Sequence, residues 1–200
     1  MNGSDDTRQK IVEAAIAVIE SQGEAAIRVD AVVKSAGFTK PVLYHYFADR
    51  EGLIAAAQAE RFRRTLEPGI EAATALVDAA SSSEDFLAAM RNLLMVFASP
   101  EGKERRRFRI EVLGAATTRP ALMMSVVEAS REYIDMFEMP LRIAEARGWL
   151  KPGVPVRDFA QWWVGLVLSR HLFEIDSEGL NESSWDALTD RVMCLIIADS

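Results

Sequence analysis

Apolar residues recur along this chain at intervals of three and four. Ile11, Val12, Ala15, Ile16 and Ile19 open the series, and that spacing gathers them on one side of a helix. Asp6 followed by Gln9 resembles a capping box at its start, and Gly23 offers a stop. A short helix is predicted over 29–36, with Val29, Val32 and Val33 inward, followed by Gly37, where a left-handed turn costs little. Thr39 can cap the next helix. Pro41 is tolerated in its first turn, because that N–H has no intrahelical partner. Asp49 is a further cap candidate, opening a helix through about Arg64 that Pro68-Gly69 should end.

Further helical segments are predicted at 69–80, 84–98, 103–116, 120–148, 156–176 and 184–198. Turn-forming clusters separate them: Ser81-Ser82-Ser83, Ser99-Pro100, Thr117-Thr118-Arg119-Pro120, Lys151–Pro155 and residues 177–184. No alternating strand pattern and no internal repeat interrupts the series. The predicted fold class is all-α.

Two short helices joined by a glycine turn make a helix-turn-helix, and the faces of the second helix decide its use. Leu43 and Phe47, four apart, share a face and can anchor the helix together with Phe38. Lys40, Pro41, Val42, Tyr44 and His45 project elsewhere. That set suits a DNA groove. Lys40 can donate to guanine O6/N7, and Pro41 and Val42 can touch a thymine methyl. Tyr44, His45 and Tyr46 can bond phosphates, and Arg50 can add a charged phosphate contact. The competing account of Tyr44-His45-Tyr46-Phe47 is a core aromatic cluster of a helical bundle.

Charge bears on that choice. The net charge over 200 residues is −7, which argues against a nucleic-acid partner until its distribution is seen. Residues 1–66 hold 9 Lys/Arg against 9 Asp/Glu, residues 67–200 hold 14 against 21, and residues 28–64 hold 7 against 4. A locally basic segment on an acidic body fits anion binding at one end only. Cys194 is the one cysteine, so an internal disulfide is excluded. No apolar run approaches ~20 residues, and MNGSDDTRQK lacks the apolar region of a signal peptide. A cytoplasmic protein without a membrane partner is the expectation.

VDAVVKSAGFTKPVLYHYFADREGL, residues 29–53, resembles the N-terminal signature of the TetR family of bacterial transcriptional regulators. The likeness covers about residues 8–55, carried by Gly37, Tyr44, Tyr46, Phe47, Arg50 and Leu53. It implies a three-helix DNA-binding domain at 1–49 and a larger helical effector-binding and dimerisation domain at 50–200, with 50–66 as a connecting helix. It further implies a regulator, a repressor by expectation, released from a double-stranded DNA operator by a small molecule. Matching DNA-contact positions are Arg28, Thr39, Lys40, Pro41, Val42, Tyr44, His45, Tyr46 and Arg50. Two departures stand out. Arg28 replaces a frequent Thr cap, and Asp30 would repel phosphate, so it is not counted as a contact.

A two-turn recognition helix reads few base pairs, so specificity calls for a second copy about 34 Å along the duplex. The uncharged run WWVGLVL, 162–168, is apolar on opposite faces and must be covered on both. Phe159, Trp162, Trp163, Leu166, Phe173, Val192, Leu195 and Ile196 are the predicted homodimer contacts. Burial of this helix within one monomer is the alternative.

A largely apolar effector pocket is expected near Met90, Phe108, Met124 and Phe137, with Glu111 and His171 as polar contacts, beside a kink at Pro140. The run Glu104–Arg109 reads as a solvated surface with ion pairs; a second DNA contact or a site for an acidic effector is the alternative. Two histidines and one cysteine give no metal-ligand spacing, and there is no Gly-rich phosphate loop or nucleophile elbow. Neither an enzyme nor a cofactor is expected. A helical adaptor or ligand-binding protein that does not bind DNA is the main rival.

Overall fold

The computed structural model describes residues 3–175 and 181–198, and their regular structure is helical. In chain order the helices are α1 (Gly3–Gln22), a 3₁₀ turn (Glu24–Ala26), α2 (Val29–Ala36), α3 (Lys40–Tyr46), α4 (Arg50–Ala79) and α5 (Ser83–Ala98). They continue with α6 (Pro100–Ala116), α7 (Pro120–Ala146), α8 (Val156–Ser169), α9 (His171–Ile175) and α10 (Glu182–Ile196). Two compact units emerge: Met1–Arg64 with Val112–Ala129, and Thr65–Glu111 with Ser130–Ser200. This division by packing differs from the 1–49 and 50–200 partition, which is a division by role.

The first unit is built on the predicted stripes. Ile11, Val12, Ala15, Ile16 and Ile19 of α1 meet Ile27, Val32, Val33, Leu43, Phe47, Leu53, Ile54 and Ala57 in one buried cluster. Polar ties surround it. Arg119, from the stretch after α6, bridges Glu24 at 3.1 Å and Glu51 at 2.5 Å. The expected capping box is absent: α1 begins before Asp6, which instead pairs with Lys10 at 2.7 Å, while Gln9 donates to Glu13. Asp49 does cap α4, accepting from the Gly52 N–H at 2.7 Å.

The core of the second unit gathers Phe86, Met90, Leu93 and Phe97 of α5 with Phe137 and Leu141 of α7. Phe159 and Trp163 of α8 and Met193 of α10 complete it. Ser82 caps α5 by accepting from Asp85 N–H, and Asn181 caps α10 by accepting from Ser184 N–H. An isolated bridge joins Leu150 to Ile197.

Two predicted boundaries and one predicted surface need correction. Pro68-Gly69 does not end a helix; α4 runs through it as one helix of 30 residues. Leu66, Ala73 and Val77 are buried on either side, and their packing outweighs the hydrogen bond that Pro68 removes. A Cβ on Gly69 would lie 3.1 Å from the Phe97 ring and the Tyr133 hydroxyl, so this glycine admits neighbours rather than breaking the helix. The single helix expected at 156–176 is divided at Arg170, which is 5% exposed and turned to Asp186 and Glu182 at 2.5 and 3.0 Å. The arginine run is not a solvated surface throughout. Arg107 is exposed between Glu104 and Glu111 as expected, but Arg106 and Arg109 are 0% and 2% exposed.

Candidate nucleic-acid interface

The turn between α2 and α3 depends on Gly37 at φ 76°, ψ 26°, a left-handed conformation in which a side chain is strained. The Phe38 N–H then reaches back to the Val33 carbonyl at 2.8 Å, closing α2 and aiming the chain into α3. Within α3 the side chains divide by face. Leu43 is 0% exposed and Phe47, just beyond the helix, 4%. Phe38, Val42 and Tyr46 pack partly against the same cluster, and the Arg8 guanidinium lies 5.4 Å from the Phe47 ring centre. Lys40, Pro41, Tyr44 and His45 are exposed, Tyr44 to 49%.

The polar partners refine individual roles. Thr39 stands at the N-cap of α3 without a side-chain capping bond. Lys40 Nζ lies 2.8 Å from Asp30 Oδ1, and this hydrogen-bonded carboxylate raises the lysine pKa above its ordinary value. The Tyr46 hydroxyl is 3.1 Å from Ser4 Oγ, and the His45 ring meets the Tyr46 ring edge-on at 4.9 Å. Arg28 is exposed but bends back, donating to the carbonyls of Ala25 and Ile27 at 2.8 and 3.1 Å.

Arg50 has partners within the protein as well. Its guanidinium donates to the carbonyls of Ile27 at 3.0 Å and Glu24 at 3.1 Å, so it fastens α4 to the 3₁₀ turn. The turn itself escaped the sequence reading, since three residues without a hydrophobic stripe carry no periodic signal.

The six residues expected to form an effector pocket differ widely in exposure. Met90 and Phe137 are 2% and 1% exposed within the core of the second unit. Phe108 is half-buried, and Glu111 is exposed and held by Arg107 at 2.7 Å. Met124 is 73% exposed, and His171 is half-buried with Nδ1 3.5 Å from Glu174. None of the six lines either of two surface cavities. One, of about 290 Å³, lies among Arg8, Glu60, Arg63 and Glu128; the other, of about 270 Å³, among Arg91, Met95, Asp186 and Asp190. Met and Phe in a stripe fill a core as readily as they line a pocket.

The predicted dimer contacts also separate. Phe159 and Trp163 are buried at 4% and 0%, and Leu166 and Ile196 pack against the same core. Phe173 and Val192 are half-buried, Phe173 with its ring 4.4 Å from Trp185. Trp162, at 37%, and Leu195, at 72%, face outward. Leu172, Ile175 and Leu188 are exposed as well, which no spacing rule had selected.

Residues 11–57 match the sequence profile of the bacterial regulatory proteins of the tetR family. Comparison with curated proteins returns no match. Among solved structures, the TetR-family transcriptional regulator of Cytophaga hutchinsonii superposes with a TM-score of 0.61 at 19% identity, over 100% of this chain and 99% of its own. SmeT of Stenotrophomonas maltophilia, solved as a triclosan complex, gives 0.56 at 22% identity over 98% and 93%. A Saccharomonospora viridis protein assigned as a transcriptional regulator, solved with choline, gives 0.57 at 15% over 98% and 100%. The all-α chain thus shares its whole fold with solved regulators, and its helix-turn-helix lies within the segment that is similar to the bacterial tetR regulatory proteins.

Proposed function

We propose that this protein is a cytoplasmic, homodimeric repressor that binds a pseudo-palindromic operator and leaves it when a small molecule binds. In this proposal residues 1–49 read DNA, residues 50–200 bind the effector and dimerise, and α4 connects the two tasks. The observation that carries it is the division of α3. Leu43 and Phe47 are sunk in the core while Lys40, Pro41, Tyr44 and His45 stand out on the other side. A cation, a phenol, an imidazole and a rigid apolar group on one exposed two-turn helix are the chemistry of major-groove contact. Thr39 and Tyr46 flank them as phosphate donors. Arg28 and Arg50 are better described as braces of the domain, given the carbonyls they hold.

Operator symmetry asks for a second copy. Trp162, Leu172, Leu188 and Leu195 supply exposed apolar area of the sort that marks protein contacts. Two of the solved regulators that share the fold hold small molecules, triclosan and choline, which supports an effector for this chain without naming one.

The test is a gel shift with DNA flanking the protein's own coding region, at ~50 and ~200 mM salt, alongside sedimentation of the free protein. A repressor dimer gives a sequence-dependent shift, two protomers per site, with affinity falling by roughly 10³–10⁵ across that salt range if 6–10 phosphates are contacted. A monomer without a sequence-dependent shift would leave the adaptor account standing.

A further inference from the structure

The cavity of about 290 Å³ lies wholly within the first unit, between α1, α4 and the first turns of α7. Its lining is polar and its charges are balanced, two arginines against two glutamates. Glu60 is met by Arg63 at 3.6 Å and by Arg64 at 3.3 Å. Arg8 of α1 and Glu128 of α7 differ from that pair. Among the described residues they form no ion pair, with each other or with a third group, and Arg8 meets the Phe47 ring at 5.4 Å instead. The cavity therefore separates a cation from an anion.

The neutral lining residues give the cavity a direction. Gln9 commits an amide N–H to Glu13 at 2.7 Å and keeps its Oε1 as an acceptor. Ser125 commits its one proton to the Ala121 carbonyl at 3.2 Å, so its Oγ can only accept. With Glu128 these make three acceptors, matching the three N–H bonds of an ammonium group. Arg8 brings the planar donor set that suits a carboxylate. Val12 and Ala59, 1% and 2% exposed, line the rest with small apolar groups. We propose that this cavity binds a small free amino acid. Glu128, Gln9 and Ser125 hold its ammonium group, Arg8 holds its carboxylate, and an apolar side chain of alanine to valine size rests on Val12 and Ala59. A simple anion or cation would satisfy one charge and leave the other unmet. Through Arg8 the occupant also reaches Phe47, which anchors α3, so occupancy should alter operator affinity. That consequence alone rests on the regulator reading; the site does not.

The experiment is calorimetric titration of the full-length protein without DNA, using L-alanine, L-valine, propionate, ethylamine and glycine betaine at millimolar concentration. The two amino acids should bind. Propionate and ethylamine should each be weaker by about tenfold or more, since each forfeits hydrogen bonds between charged partners. Glycine betaine keeps both charges but has no N–H to donate, and it should be weaker to the same degree. Glu128→Gln changes an exposed side chain, so it should fold as the wild type does and bind alanine about tenfold more weakly. Arg8→Gln should lose alanine binding to a similar extent. No heat from either amino acid, equal binding of alanine and propionate or ethylamine, equal binding of glycine betaine, or wild-type affinity in Glu128→Gln would each overturn the site. Gel shifts on the same preparation separate the two claims. Alanine binding that leaves an operator shift unchanged removes the effect on DNA alone, and alanine binding with no operator at all removes the regulator reading alone.

Discussion

Lys40 and Asp30 form an ion pair across the helix-turn-helix, Nζ to Oδ1 at 2.8 Å, joining the first turn of α3 to the first turn of α2. By its charge alone Asp30 is a poor neighbour for a phosphate. In the fold it holds Lys40, the cation to which the proposed function gives a base contact. An aspartate so placed orients the lysine and also weakens the domain's attraction for DNA in general, which favours discrimination over affinity.

Asp30→Asn should therefore bind unrelated DNA more tightly, with a steeper dependence on salt, and lose part of its preference for the operator. Lys40→Ala should lose discrimination at one base pair by about 1–3 kcal/mol. Binding isotherms on operator and scrambled duplexes at several salt concentrations check both. Identical losses from Lys40→Ala on every sequence would return the lysine to a phosphate role.

Arg50→Ala should act first on stability. It frees the carbonyls of Glu24 and Ile27, and losing hydrogen bonds from a charged donor costs about 2 kcal/mol. Urea unfolding of the whole chain measures the loss. At temperatures where the variant is folded, its salt dependence of DNA binding should match the wild type, contrary to a direct phosphate contact.

Gly69→Ala sets two effects against each other. Alanine is favoured over glycine within a helix by about 1 kcal/mol, but its Cβ would lie 3.1 Å from Phe97 and Tyr133. Overpacking of this kind costs about 1–3 kcal/mol, so a small net destabilisation is expected in urea melts.

Arg106 and Glu174 are a buried pair, with side chains 0% and 7% exposed. Glu174→Ala should cost about 3–5 kcal/mol, because the guanidinium stays buried and alone. The double change Arg106→Met with Glu174→Leu should recover most of that loss. Equilibrium unfolding of the three proteins makes the comparison, and additive losses in the double variant would deny the coupling.

The helix-turn-helix was legible because its signals are local. Spacing of Val32, Val33, Leu43 and Phe47 marked the inward face, and Gly37 and Pro41 marked the turn and the helix start, each through a backbone rule that needs no distant partner. The comparison with the tetR profile falls on the same stretch, at residues 11–57. The second unit was less legible. Trp162 and Trp163 are adjacent and chemically alike, yet one is 37% exposed and the other fully buried. Met90 and Met124 likewise differ, at 2% and 73%. Period alone locates two apolar faces on a helix but does not rank them.

Hydrophobic spacing and turn chemistry, read along the chain, determined the all-α class, the order of the helices and the inward face of α3, because each follows from 3.6 residues per turn and the conformational limits of Gly and Pro. Tertiary packing alone decided that α4 passes through Pro68-Gly69, that Arg50 braces a turn, and that Arg109 is buried without a carboxylate partner among the described residues. Those outcomes depend on which surfaces meet across distant segments. A proline's lost hydrogen bond or an arginine's desolvation is settled by those neighbours, and neighbours far apart in sequence leave no mark on local pattern.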